Sequence, residues 1–154
     1  MDLGLAGRRA VVTGGSKGIG RAVAQVLVGE GAACTIVART AEDLDRTATD
    51  LSGAAGSIHT VVADLRDADA ATHAVEAAVE HVGGVDILVN SAARASGGQP
   101  ESFEDVSEDL LQSDFEEKYL GYLLMSRAVV PHMRAGGWGR TSPSAGWLRG
   151  APEA

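Results

Sequence analysis

The chain has 154 residues, 45% of them hydrophobic, 22% charged and 4% aromatic, and carries a net charge of −8 at pH 7. That is one domain's length of ordinary globular composition, with enough apolar residues to bury a core. The acidic balance argues against a sequence-independent nucleic-acid surface, which needs clustered Lys and Arg, and no apolar run approaches membrane-spanning length. Met1-Asp2-Leu3-Gly4 lacks the basic-then-apolar pattern of a signal peptide. Cys34 is the single cysteine and lies in an apolar run. It has no disulfide partner, so the expected setting is a reducing cytoplasm and its expected role that of a small buried hydrophobe.

The first predicted strand covers 9–13 and is apolar on both faces, as a buried parallel strand should be. It runs into the glycine turn Gly14-Gly15-Ser16-Lys17-Gly18-Ile19-Gly20. A helix is expected over 21–30, with Ala22, Val23, Val26 and Leu27 at helical spacing and Gly29 and Gly31 stopping it. Strand, glycine turn and helix together present free backbone N–H groups to a phosphate. A second strand follows over 33–38. Thr40 then offers an N-cap to a helix reaching about Leu51. The linker 52–57 leads to a third strand over 59–63, which Asp64 ends.

Asp67 is expected to cap the next helix, whose Ala71, Ala74, Val75, Ala78 and Val79 form an apolar face, and Gly83-Gly84 closes it. The fourth strand, 85–90, is the most apolar, and a polar loop over 91–102 follows. Ser113 and Glu116 have the spacing of a capping box ahead of one long helix through Tyr119, Tyr122, Leu123, Val129 and Met133, bent at Pro131. The order βαβαβαβα predicts an α/β fold with a doubly wound, Rossmann-like parallel sheet, incomplete at four strands. Right-handed crossovers give the order 3-2-1-4 and place the ligand crevice at the carboxyl ends of strands one and four. Gly14, Gly18, Gly20, Asp64 and Asn90 fall at those ends.

The run from Thr13 to Gly20, with spacing G-x-x-x-G-x-G, closely resembles the cofactor signature of the short-chain dehydrogenase/reductase family. Ala63-Asp64-Leu65 resembles that family's Asp after strand three. The run from Val85 to Ala93 resembles its strand-four motif, and Gly121 with 127–133 resembles its next helix. Four motifs in order span about residues 5–140. The resemblance implies that Gly14, Gly18 and Gly20 lie under a pyrophosphate, where backbone from Ser16 through Lys17 and Gly18 to Ile19 donates to phosphate oxygens. It implies further that Asp64 and Leu65 lie by the adenine and that Asn90 and Ala92 line the nicotinamide-ribose side.

Charge indicates the cofactor. NAD-binding folds place an acid at the end of strand two to hold the ribose hydroxyls. This chain has Ala38-Arg39 there, and Lys17 lies in the glycine turn. Two cations facing the adenosine ribose attract a 2′-phosphate, so NADP(H) is expected ahead of NAD. Three features depart from the family pattern. Asn90-Ser91-Ala92-Ala93 stands where Asn-Asn-Ala-Gly is usual, and Lys118 stands where the family generally has Asn. The third concerns catalysis: the family uses a Tyr-x-x-x-Lys pair, in which Lys lowers the Tyr pKa. Here only Tyr119 and Tyr122 are present, and neither has Lys four residues later.

No catalytic residue is therefore assigned, and packing is the expected role of both tyrosines. The prolines in 141–154 argue against a central fifth strand, and Ser144 lacks a strand to aim it as the family's catalytic Ser. The expected division is a partial dinucleotide-binding domain over 1–140 and an irregular tail over 141–154. Read in another frame, the bases for 140–149 can encode His-Val-Thr-Ile-Ser-Gly-Leu-Ala-Ala, so loss of frame near Arg140 is the expected origin of the break. Resequencing the locus tests this.

Three readings follow. One is an NADP(H)-dependent oxidoreductase by ancestry, which takes a small-molecule substrate only with its other half supplied. Another is a non-catalytic dinucleotide-binding fragment. The last is a poorly folded truncation whose fourth strand is an open apolar edge. The helix at 114–135 is the expected contact for a second copy of the chain. No metal site is expected from His59, His73, His81 and His132, which lack ligand spacing, and no P-loop motif is present.

Overall fold

Three strands carry the apolar runs at the centre of the sheet: β1 (Arg9–Thr13), β2 (Ala33–Ala38) and β4 (Ile87–Asn90). With β3 (Ser57–Val62) and β5 (Arg140–Pro143) they form one sheet in the order β3-β2-β1-β4-β5. Every pairing is parallel, with Thr13 opposite both Val37 and Asn90. The structure, a computed structural model, describes residues 3–92 and 102–143. Ala93, most of the loop expected over 91–102, Ser144 and the rest of the tail lie outside the described residues.

Successive residues of β1 point to opposite faces, and two cores result. Ala10 and Val12 pack with Ala24, Leu27 and Val28 of α1 (Gly18–Gly29) and with Leu44 and Leu51 of α2 (Ala41–Leu51). Val11 packs on the other face with Ala71, Ala74, Val75 and Ala78 of α3 (Ala68–Val82) and with Met125, Val129 and Met133 of α5 (Gly121–Ala135). The small residues on α3 let helix and sheet approach closely. Cys34 is fully buried in the first core, where burial pushes its thiol pKa up to about 12. It packs as a hydrophobe.

Most helix boundaries follow local chemistry. The Asp67 carboxylate accepts from the Asp69 and Ala70 amides at 2.8 and 2.9 Å, and Gly83 ends α3 in the left-handed conformation at φ +82°. Thr40 occupies the N-cap position of α2 but makes no side-chain cap bond. The α1 helix starts at Gly18, inside the glycine turn, rather than after it.

Two expectations are corrected. A fifth strand is present: β5 pairs with β4, so β4 is not an open edge. The absence of apolar alternation excludes a buried central strand, but backbone pairing at an edge needs no apolar side chain. All four β5 residues are exposed, and Pro143, which lacks an N–H, is the last of them. The turn that delivers the strand is set by Gly137 at φ +70° and by Gly139, where a Cβ would lie 2.5 Å from the Met133 Sδ. Trp138 between them is covered by the guanidinium groups of Arg8 and Arg140, 4.1 and 5.0 Å from its ring.

The capping box at Ser113 and Glu116 is the second correction. The helix α4 (Glu108–Phe115) begins earlier, capped by Ser107, whose Oγ accepts from the Leu110 amide at 3.2 Å. Ser113 lies inside α4, and Glu116 instead accepts from Gln112 Nε2 at 3.0 Å. A π-helical turn (Glu116–Leu120) joins α4 to α5 and interrupts the single long helix. Pro131 lies within α5, which continues to Ala135.

Candidate functional site at the carboxyl end of the sheet

The carboxyl ends of β1 and β4 sit side by side, and the glycine turn leaves from the first. Gly14 has φ +64°, and a Cβ there would lie 2.8 Å from the Ser91 carbonyl oxygen and 2.9 Å from the Ala92 Cα. A Cβ on Gly20 would collide with the Gly14 carbonyl. These two glycines therefore have a packing reason of their own, the crossing of the turn over the β4 exit and over itself. Gly18 differs. It has φ +54°, and a Cβ there would meet nothing within 4 Å. Beside it Ile19 leaves 60% of its surface exposed.

The N-cap residue of α1, Lys17, makes no side-chain cap bond to the first amides of the helix. The space at Gly18 and this helix start fit a phosphate of a dinucleotide: backbone can approach it, and N–H groups can point at it.

Hydroxyl groups absent from the sequence-based list hold the turn in place. The Thr13 Oγ1 accepts from the Ser91 and Ala92 amides at 2.9 and 3.0 Å, so one buried side chain fixes the backbone at the exit of β4. Thr47 on α2 donates its hydroxyl to the Ser16 carbonyl at 3.0 Å. Their sequence signal, a Thr at a strand end and a Thr on an apolar helix face, is too common to have singled them out.

The remaining candidates fall around this turn. Lys17 pairs with Asp43 of α2, Nζ to Oδ2 at 2.6 Å. Arg39 is exposed at the end of β2, and its charge acts on Asp64. Asp64 follows β3 and is clamped by Arg66, which reaches it with side-chain and backbone N–H groups. Those hydrogen bonds, helped by the Arg66 and Arg39 charges and opposed by burial, bring the Asp64 pKa down to about 2. Leu65 is buried against the second core and touches the space over Gly121.

Asn90 is buried at the end of β4 and donates from Nδ2 to Ser126 Oγ at 3.4 Å. Ala92 is half-buried beside Gly14. The fold thus brings Gly14, Ser16, Lys17, Gly18, Ile19, Gly20, Asn90 and Ala92 to one end of the sheet, with Arg39, Asp64 and Leu65 following the β2 and β3 ends. Lys118 lies in the π-helical turn and pairs with Asp114 at 3.2 Å. Among the described residues no helix is long and apolar enough to cross a membrane, and no group of three or more His, Cys, Asp or Glu could hold a metal.

The family model for short chain dehydrogenases matches residues 8–141. The chain is 41% identical over 137 residues to the L-xylulose reductase of Mus musculus, covering 89% of this chain and 52% of that protein. It is 39% identical over 136 residues to the D-erythrulose reductase of Gallus gallus, covering 88% of this chain and 51% of that one. Among solved structures, L-sorbose reductase from Gluconobacter frateurii, complexed with NADPH and L-sorbose, superposes with a TM-score of 0.82 at 33% identity. That alignment covers 93% of this chain and 54% of the reductase. The chain spans about half the length of the relatives it matches. With a family match over most of its length, the chain belongs to the short-chain dehydrogenase family of oxidoreductases.

Proposed function

We propose that this chain is the NADP(H)-holding half of a short-chain reductase. The observation that carries the reading is the open backbone at Gly18, at the start of an α1 helix without a side-chain cap, with Lys17 beside it and Arg39 at the end of β2. In this reading Gly14, Ser16, Lys17, Gly18, Ile19 and Gly20 cradle the pyrophosphate. Arg39 and Lys17 take the 2′-phosphate, Asp64 and Leu65 border the adenine, and Asn90 and Ala92 border the nicotinamide ribose. The bound nicotinamide supplies hydride chemistry toward a carbonyl or alcohol carbon. The chain's own residues bind and orient. The NADPH named with L-sorbose reductase favours the phosphorylated cofactor.

The chain carries no Tyr-x-x-x-Lys pair, so cofactor binding without turnover is expected of these 154 residues. Titration with NADPH and NADH by nicotinamide fluorescence, beside an oxidation assay with generic ketones, tests the reading. Binding of NADPH about tenfold tighter than NADH, with no turnover, supports it. Equal affinities overturn the NADP(H) preference, and a folded chain that binds neither overturns the site. A non-catalytic dinucleotide-binding module is the second reading, favoured by the same missing pair. The two part if adding the complementary half of a family member in trans restores turnover.

The expected partner besides the dinucleotide is a second copy of the chain across 114–135. Leu111, Phe115, Tyr119 and Leu123 lie four residues apart and are each more than half exposed, with Phe115 and Tyr119 stacked at 5.3 Å. Such a stripe favours burial between copies, and sedimentation equilibrium reads it directly. The buried thiol of Cys34 accords with a cytoplasmic setting without requiring one.

A further inference from the structure

We infer that Asp43 sets the cofactor discrimination of this site by competing with a 2′-phosphate for the Lys17 ammonium; the inference rests on the NADP(H) reading above. Asp43 lies in the first turn of α2, and its carboxylate is only 13% exposed. Four residues on, on the same helix face, Thr47 bonds the Ser16 carbonyl. The α2 helix therefore presses one hydroxyl and one carboxylate onto two adjacent residues of the glycine turn. The carboxylate is fixed by the helix, whereas the Lys17 side chain is 65% exposed and carries its ammonium on a flexible stem.

A phosphate dianion reaching Lys17 meets the Asp43 oxygen 2.6 Å from the same nitrogen, so attraction to the cation is offset by repulsion from its partner. Arg46 shares Asp43 at 3.4 Å and also reaches Glu42 at 3.6 Å, which softens that repulsion. NAD has no 2′-phosphate, so only the phosphorylated cofactor feels the contest. On this account Arg39 carries most of the preference for NADP(H), and Lys17 is held partly in reserve.

The test is the ratio of NADH to NADPH dissociation constants for the full chain and its variants. Asp43→Asn should raise that ratio about two- to fivefold, the span of an exposed ion pair, by tightening NADPH and leaving NADH unchanged. Glu42→Gln removes the same formal charge one residue away and should leave the ratio where it is. In a Lys17→Gln background, Asp43→Asn should change nothing. Should Asp43→Asn fail to fold, Asp43→Ser, well suited to a helix start, is read by the same ratio.

An unchanged ratio overturns the inference, as does the same rise without Lys17. A fall in the ratio also overturns it, making Asp43 the organiser of Lys17 rather than its competitor. Loss of both affinities together rejects it in favour of a purely structural role. A folded wild type that binds neither dinucleotide rejects the cofactor reading and the inference together, whereas binding with an unmoved ratio rejects the inference alone.

Discussion

Strand β1 is fastened to β4 at both ends, by a charged clamp at its amino end and by one hydroxyl at its carboxyl end. At the amino end Arg9 gives Asp86 two side-chain bonds, at 2.9 and 2.6 Å, and a backbone bond at 2.9 Å. Arg9 also reaches the Gly83 carbonyl at 2.8 Å, and the Asp86 backbone carbonyl accepts from Arg140 at the start of β5. The Asp86 side chain is 7% exposed and the Arg9 side chain 29%, so the carboxylate is withdrawn from water while the guanidinium keeps an edge to it. At the carboxyl end Thr13 holds two amides with no charge, and the neighbouring backbone at Gly18 faces open space. One end holds the sheet together. The other leaves backbone open at Gly18.

Breaking the closed end should cost most. Asp86→Ala leaves the Arg9 guanidinium without its carboxylate, and a loss of about 3 kcal/mol in urea unfolding is expected. The same pair gives the protein an acid dependence. Hydrogen bonds from Arg9 hold the Asp86 pKa below its ordinary 3.8, so at low pH the unfolded chain takes up a proton that the folded chain resists. Stability from this group is complete above about pH 4 and is lost as pH falls through the folded value. Asp64, with its pKa near 2, adds a loss in the same direction between 3.8 and 2. The variant's unfolding should therefore be less acid-sensitive than the wild type's, and an identical profile would place the pair's energy elsewhere.

Thr13→Val probes the open end. The side chain keeps its shape, but the Ser91 and Ala92 amides lose their acceptor, for about 2 kcal/mol. Hydrogen exchange should quicken at those two amides before the strands themselves loosen. Uniform quickening along β1 and β4 would make Thr13 a general support and remove the contrast between the ends. Gly18→Ala is the mildest change for the fold: nothing crowds the new methyl, and the left-handed backbone costs about 1 kcal/mol. It should nevertheless weaken NADPH at least tenfold, because the methyl enters the space proposed above for phosphate. Unaltered affinity would show that the phosphate lies elsewhere.

Much of this architecture is readable along the chain. Alternating apolar strands and helices, with glycines at the joins, dictate the parallel sheet. Right-handed crossovers dictate the order of its first four strands. The spacing of Gly14, Gly18 and Gly20 marks the turn because each glycine answers a local demand, a positive φ or a near approach. Asp67 and Gly83 are legible for the same reason, since a cap acts within three or four residues.

What only the tertiary structure decided are contacts between residues far apart in sequence, which leave no local periodicity. The β5 strand is held by backbone pairing to β4, 53 residues earlier by the partners Ile87 and Arg140, so its polar side chains gave no sign of it. The helix after the fourth strand is capped by Ser107 rather than Ser113: the S-x-x-E spacing at Ser113 is matched inside a helix that has already begun at Glu108. Lys17 reads as a surface cation until α2 brings Asp43 against it, and Thr13 as a strand residue until Ser91 and Ala92 arrive. Sequence alone determined where the glycine turn lies, because glycine conformations are local. The charge and tension around that place depend on which helix packs over the turn, and that is a property of the folded chain.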